Sequence, residues 1–132
     1  MKILLLFIFI LGSTSSCDSV NPDQLNCDEK ILVDSSLFED SPNDSFEFTS
    51  VKIIDNCLNI TIQYGGGCGD IELKLIDSEM ILESYPVQRN IRLSLKDEDY
   101  CKALITKELS FDLTPIQILS YNQIILNISN WN

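Results

Sequence analysis

The sequence predicts an all-β fold, an antiparallel β-sandwich of immunoglobulin-like type with about seven to nine short strands. Three observations lead there. Apolar and polar residues alternate with period two over five separate stretches. Asn, Asp, Gly, Ser and Pro collect between those stretches, where turns need them. Helical spacing is met only for a turn or so, around Lys96–Tyr100 or Pro115–Ser120.

The elements follow in order. Strands are expected over 30–33 and 46–54, and Asp55-Asn56 then suggests a hairpin. Leu58, Ile60, Ile62 and Tyr64 fall on one face, with Asn59, Thr61 and Gln63 on the other. Gly65-Gly66-Gly67 ends that strand. Ile71, Leu73 and Leu75 alternate with Glu72 and Lys74, Asp77-Ser78 suits a turn, and 80–85 reads as a further strand. Ile91, Leu93 and Leu95 alternate with Arg92 and Ser94. After a strand over 102–107, Leu109, Phe111 and Leu113 alternate with Ser110 and Asp112. Tyr121-Asn122 precedes the last run, Ile124, Leu126 and Ile128. Successive strand side chains point to opposite faces, so each run is expected to bury its apolar face and wet the other.

The first sixteen residues belong to export, not to the fold. Met1-Lys2 is a basic start, Ile3 to Leu11 is an unbroken apolar run of nine, and Gly12-Ser13-Thr14-Ser15-Ser16 is a small-residue exit. This order describes a secretory signal peptide over 1–16. Nine helical residues rise only ~14 Å, against a hydrocarbon core of ~30 Å. Cys17 stands where a bacterial lipoprotein carries its acylated cysteine, with Ser15 and Ser16 fitting the cleavage box. Thr14 departs from the apolar residue usual there, so ordinary cleavage with a free Cys17 is the alternative. Cysteine parity favours lipidation. The chain has five Cys, and an odd thiol is awkward in an oxidising compartment. With Cys17 lipidated, residues 17–26 form a polar tether containing Pro22, and 27–132 form a single β-sandwich domain. The remaining four cysteines allow three pairings. The favoured one is Cys68–Cys101 with Cys27–Cys57, each closing a loop of about thirty residues worth ~3–4 kcal/mol.

Composition excludes much chemistry. Lys and Arg number 9 against 20 Asp and Glu, His is absent, and the formal net charge is −11. Nucleic acid is not an expected partner, because phosphate binding draws on Lys and Arg clusters. Without His there is no His-based dyad or triad and no imidazole for zinc. Gly65-Gly66-Gly67-Cys68-Gly69 lacks the Gly-Lys-Ser/Thr ending of a phosphate loop and reads as a wide turn beside Cys68. Asp97-Glu98-Asp99 and Asp40-Ser41-Pro42-Asn43-Asp44 are oxygen-rich, but neither has the EF-hand order, so both read as solvated loops. Carboxylate pairs arise by chance among so many acids. No catalytic residue, metal or cofactor is therefore expected. Asn43-Asp44-Ser45, Asn59-Ile60-Thr61 and Asn127-Ile128-Ser129 are sequons that would matter in a secreted glycoprotein. Asn59 and Asn127 lie on expected polar faces.

Tyr64-Gly65-Gly66-Gly67-Cys68, Asp99-Tyr100-Cys101-Lys102-Ala103 and Phe111-Asp112-Leu113-Thr114-Pro115 resemble segments of small lipoproteins of Bacteroidota-type bacteria. In that group a Gly-Gly-Cys after one strand accompanies a later Cys and a Phe-Asp-Leu strand. The resemblance covers about residues 58–115 and implies an envelope-located β domain in which Cys68 and Cys101 bridge. It implies no activity, and Cys27 with Cys57 is an extra pair.

The expectation is a lipid-anchored protein of the bacterial cell envelope with a non-catalytic binding or structural role. It would meet the membrane through Cys17 and a protein partner in an envelope assembly. The alternatives are an acidic inhibitor or decoy of a basic extracellular enzyme such as a lysozyme, and a small secreted glycoprotein.

Overall fold

The computed structural model describes residues 26–131, and among these described residues there are eight strands and one short helix. The signal segment, Cys17 and the tether as far as Leu25 lie outside the described residues. The strands are β1 (Glu29–Lys30), β2 (Leu32–Val33), β3 (Glu47–Ile54), β4 (Cys57–Gly66), β5 (Ile71–Leu82), β6 (Val87–Asp97), β7 (Ala103–Asp112) and β8 (Ile124–Ile128). Helix α1 (Ser35–Asp40) follows β2, and a single 3-10 turn (Thr114–Ile116) follows β7. One sheet has the order β1-β7-β4-β3 and the other β2-β5-β6-β8.

The inner faces of the two sheets form one core. Leu58, Ile60, Ile62 and Tyr64 of β4 meet Leu75 of β5 and Ile91, Leu93 and Leu95 of β6, with Phe111 and Leu113 beside them. Each apolar side chain buried in this way stabilises the fold by ~1.5–3 kcal/mol. The two faces of β4 and the inner faces of β6 and β7 are those the alternation predicts. The long strands pair antiparallel, β3 with β4, β4 with β7 and β5 with β6. Parallel pairing is confined to the short strands, β1 with β7, β2 with β5 and β8 with β6.

These registers give the sandwich two ends. The upper end carries the β4–β5 and β6–β7 connections, because Gly66 pairs with Ala103 and Ile71 with Asp97. The lower end carries the Asp55-Asn56 turn and the connections β5–β6 and β7–β8, because Cys57 pairs with Asp112 and Val87 with Ile124.

Several elements differ from the expectation, each for a physical reason. Asp77-Ser78 is not a turn: β5 runs through it with a register shift between Asp77 and Ile81, and Glu79 takes φ 64°. The Asp77 carboxylate accepts the Glu79 N–H at 2.8 Å and so supports this bulge from inside the strand. The strand expected at 80–85 is the end of β5, and the runs 102–107 and 109–113 are one strand, β7, ending at Asp112. Lys96–Tyr100 is not helical, and Pro115–Ser120 supplies only part of the 3-10 turn.

Helix α1 has no apolar period to announce it. Its first turn is capped by Asp34, whose side chain accepts the Leu37 N–H at 2.8 Å. Its last carbonyls are met from another element. The Arg92 guanidinium donates to the oxygens of Phe38, Leu37 and Ser41 at 2.8, 3.3 and 3.0 Å. Ser94 donates to the Pro42 carbonyl at 2.6 Å. Arg92 and Ser94, expected on a wet face, are therefore buried beneath the 37–42 segment.

Candidate functional site

Disulfides join Cys27 to Cys57 and Cys68 to Cys101, with Cα–Cα distances of 5.7 Å in each. Two such bridges mark an extracytoplasmic protein. Among the described residues, no helix is long and apolar enough to cross a membrane.

The Cys68–Cys101 bridge builds the upper tip, and the two motifs read separately in the sequence meet there. The backbone N–H groups of the glycine run point inward at a carboxylate of the acidic run. Gly67 donates to Asp99 Oδ2 at 2.6 Å, Cys68 to both Asp99 oxygens at 3.2 Å, and Cys101 to Oδ1 at 3.0 Å. A nest of this kind would attract a phosphate; here the chain's own Asp99 fills it. Gly67 sits at φ +118°, which a side chain would strain. A Cβ on Gly69 would lie 2.8 Å from Asp99 Cα, so backbone would have to shift.

The acids are organised by backbone as well. Asp97 accepts the Asp99 N–H at 2.8 Å, and Asp44 of the second acidic run accepts the Asp97 N–H at 2.7 Å. Glu98 donates its N–H to the Asp70 carbonyl at 3.2 Å and pairs through its side chain with Lys96 at 3.0 Å. Asp44, Asp70, Asp97 and Glu98 thus gather at the loop, with Lys96 paired to Glu98. Cys68, Asp99 and Cys101 bring their ligand atoms within 4.8 Å of one another. Both sulfurs are spent in the disulfide, so the group offers no thiolate to a metal.

Tyr100 stands on this frame. It lies between Asp99 and Cys101, both fixed by hydrogen bonds, yet its own side chain is 95% exposed. Leu104, also largely exposed, follows at the start of β7. Spacing alone could not single out Tyr100 from the other three tyrosines. The signal was its place beside Cys101 within an acidic run.

Electrostatics of the tip predict an acid limit. Burial alone would raise the Asp99 carboxyl, but the N–H groups of Cys101, Gly67, Gly69 and Cys68 outweigh it and hold its pKa below the ordinary 3.8. The hydrogen bonds from Ser110 hold Asp28 below 3.8 as well, and those from Thr114 do the same for Asp112. A depressed folded pKa contributes stability that is present above the unfolded value and lost as pH falls through the folded one. The expected result is a stability plateau down to about pH 4 and a decline below it. In Asp99→Asn the low-pH slope should be shallower. An unchanged slope in urea unfolding against pH would remove Asp99 from this account. Burial raises the neighbouring Tyr64 hydroxyl pKa, and Asp99 and Asp97 add to that shift.

The sequons take different places. Asn43 is exposed, whereas Asn127 is half-buried and donates through its amide nitrogen to Gln88 and Asn90 at 3.0 and 3.3 Å. Asn59, also half-buried, donates to the Cys57 carbonyl at 3.3 Å. Both strand asparagines thus hold side-chain bonds on the polar faces of their strands, which a glycan on the same nitrogen would disturb. Among the described residues no buried side-chain nitrogen or oxygen lacks a hydrogen-bond partner.

Fold and tip together define a disulfide-stapled β-sandwich protein with an acidic, preorganised loop. No family model matches the sequence, and no curated protein matches it. Among solved structures the chain is similar to a NigD-like immunity protein from Bacteroides caccae, with a TM-score of 0.56 and 14% identity over 74% of this chain and 51% of that one. It is also similar to a protein of unknown function from Bacteroides vulgatus, with a TM-score of 0.50 and 16% identity over 64% of this chain and 42% of that one. At such identities the likeness is one of fold. The chain spans about half the length of the first neighbour and less of the second. Both neighbours come from Bacteroides.

Proposed function

We propose that the chain is an exported protein, lipid-anchored at Cys17 in the bacterial envelope, that binds a protein partner without catalysis through its upper tip. One observation carries the binding role: an almost fully exposed Tyr100 on a loop fixed by the Cys68–Cys101 bridge and by Asp99. Holding a large amphipathic side chain in place before binding lowers the ordering cost of an interface, and tyrosine is enriched among binding hot spots. The anchor rests on the sequence around Cys17. The fold shared with an immunity protein is in keeping with a binding role.

A second reading is favoured by the acids around Tyr100. With a net charge of −11, the tip suits a basic partner, as in an inhibitor of a cationic extracellular enzyme such as a lysozyme. Charge complementarity would then speed encounter at low salt and fade at high salt.

The test is a photo-crosslinking amino acid at position 100 in the acylated, membrane-bound protein in intact cells. A discrete protein adduct is expected there and not from a control position on the outer face of β3. Tyr100→Ala should weaken affinity for the captured partner roughly tenfold to a hundredfold. No adduct at position 100, or an affinity indifferent to Tyr100→Ala, removes the tip from the interface. Partition into the detergent phase, abolished by Cys17→Ala, separately tests the anchor.

A further inference from the structure

The lower end of the sandwich exposes large apolar side chains, where the upper tip gathers acids. A groove of about 490 Å³ opens there, with Ile53, Leu113, Ile116, Leu119, Tyr121 and Ile124 along its apolar part and Asp55 and four amide side chains along the rest. Leu119 is fully exposed at its rim, and Ile53 and Tyr121 are about half exposed. Tyr121 also borders a second hollow beside Tyr85, itself fully exposed in the β5–β6 connection. A contiguous surface of two tyrosines, a leucine and an isoleucine is thus left facing outward at one end of a strongly acidic protein.

The position of Cys27 says what this end faces. Cys27 is bonded to Cys57, the first residue of β4, which begins at the lower end beside the Asp55-Asn56 turn. Asn56 itself lines the groove. Ten peptide steps separate Cys17 from Cys27; such a segment reaches at most ~35 Å when fully extended and averages ~17 Å when flexible. The ten-residue strand β4 separates the two ends by ~33 Å at ordinary strand rise. An anchor at Cys17 therefore brings the lower end to the bilayer without effort, whereas the upper tip could reach it only on a fully stretched tether.

The geometry points to the lower end as a membrane-contacting surface, in which Leu119, Tyr121, Tyr85 and Ile53 enter the headgroup and upper acyl region of the bilayer that holds Cys17. The inference rests on the anchor proposed above. Tyrosine suits this depth because its ring is apolar and its hydroxyl stays wet. Seating the lower end on lipid also turns the Tyr100 tip away from the membrane, toward partners. The two ends then have separate tasks.

The native cysteines are committed to lipid or disulfides on this reading, so an introduced cysteine is the lone free thiol. Leu119→Cys and Tyr100→Cys, each labelled with an environment-sensitive fluorophore in the full acylated protein, are reconstituted into phosphatidylcholine vesicles containing nitroxide lipid. Quenching at position 119 is expected to exceed that at position 100 about twofold or more, with blue-shifted emission at 119 alone. Equal quenching at both positions, or stronger quenching at 100, overturns the inference while leaving the anchor intact. The intact mass of the same protein separates the two failures, since an unacylated Cys17 overturns the anchor and this inference together.

Discussion

Asp77→Ala is expected to cost ~3–5 kcal/mol of folding stability, the largest effect of any single polar substitution in the chain. Asp77 is fully buried, and Arg89 is nearly so. Asp77 follows Leu75 and Arg89 precedes Ile91 at period two, so both point to the core side of the sheet. The guanidinium grips the carboxylate with two hydrogen bonds, Nε to Oδ2 at 2.9 Å and Nη2 to Oδ1 at 2.6 Å. The hydrogen bond to Asp77 raises the Arg89 pKa above its ordinary value, and without that partner the guanidinium still keeps its charge, because arginine is too basic to lose its proton in a protein. That leaves a buried charge without a counterion, which is the costly half of breaking such a pair. The same substitution takes away the acceptor for the Glu79 N–H at the β5 bulge. Urea unfolding measures the effect as a lower midpoint at similar slope. Asp77→Leu combined with Arg89→Met should recover most of the loss, because apolar replacements of similar volume are often neutral. A loss below about 1 kcal/mol for Asp77→Ala would mean that Arg89 reaches water, and the pair would count only as a surface bridge.

This pair also shows where sequence reasoning stops. Alternation placed Leu58, Ile60, Ile62 and Tyr64 inward, and Ile91, Leu93 and Leu95 likewise, because burial of a strand face leaves a period in the sequence. Asp77 and Arg89 fall on those same inward positions, but a buried ion pair reads as two ordinary charges until the register sets them side by side. The result was a turn expected at Asp77-Ser78, where the chain has a bulge. Helix α1 was illegible for a related reason. Beyond its Asp34 cap it is held by Arg92, more than fifty residues away, and no local pattern carries that information. The tip was half legible. Gly65 to Gly69 and Asp97 to Asp99 each stand out in the sequence, and each reads as a loop with its own neighbours. That Asp99 fills the nest made by Gly67, Cys68 and Cys101 depends on strands β4 and β7 pairing through Gly66 and Ala103.

Removing the Cys68–Cys101 bridge as Cys68→Ser with Cys101→Ser is expected to cost ~3–4 kcal/mol, the loop-entropy value for a closed loop of this size, spanning a sequence separation of 33. Most of that cost falls on the unfolded chain, which gains freedom when the link is cut. The native tip should change less. Gly66 still pairs with Ala103, and Asp99 still accepts from Gly67, Cys68 and Cys101 in the folded state. Asp99→Ala is expected to do the opposite. It strips the backbone donors of their acceptor within the native loop, so the loop opens locally, and the midpoint of global unfolding should fall by less than in the cysteine variant. Amide hydrogen exchange separates the two cases. In the cysteine variant, exchange at Gly67, Cys68 and Cys101, with serine now at the last two positions, should follow global unfolding. In Asp99→Ala the same amides should exchange well before the core amides of Ile60 or Leu93. If binding through Tyr100 needs a preset loop, partner affinity should fall further in Asp99→Ala than in the cysteine variant, although the latter is the less stable protein. The reverse order would assign the tip's rigidity to the disulfide and leave Asp99 a spectator.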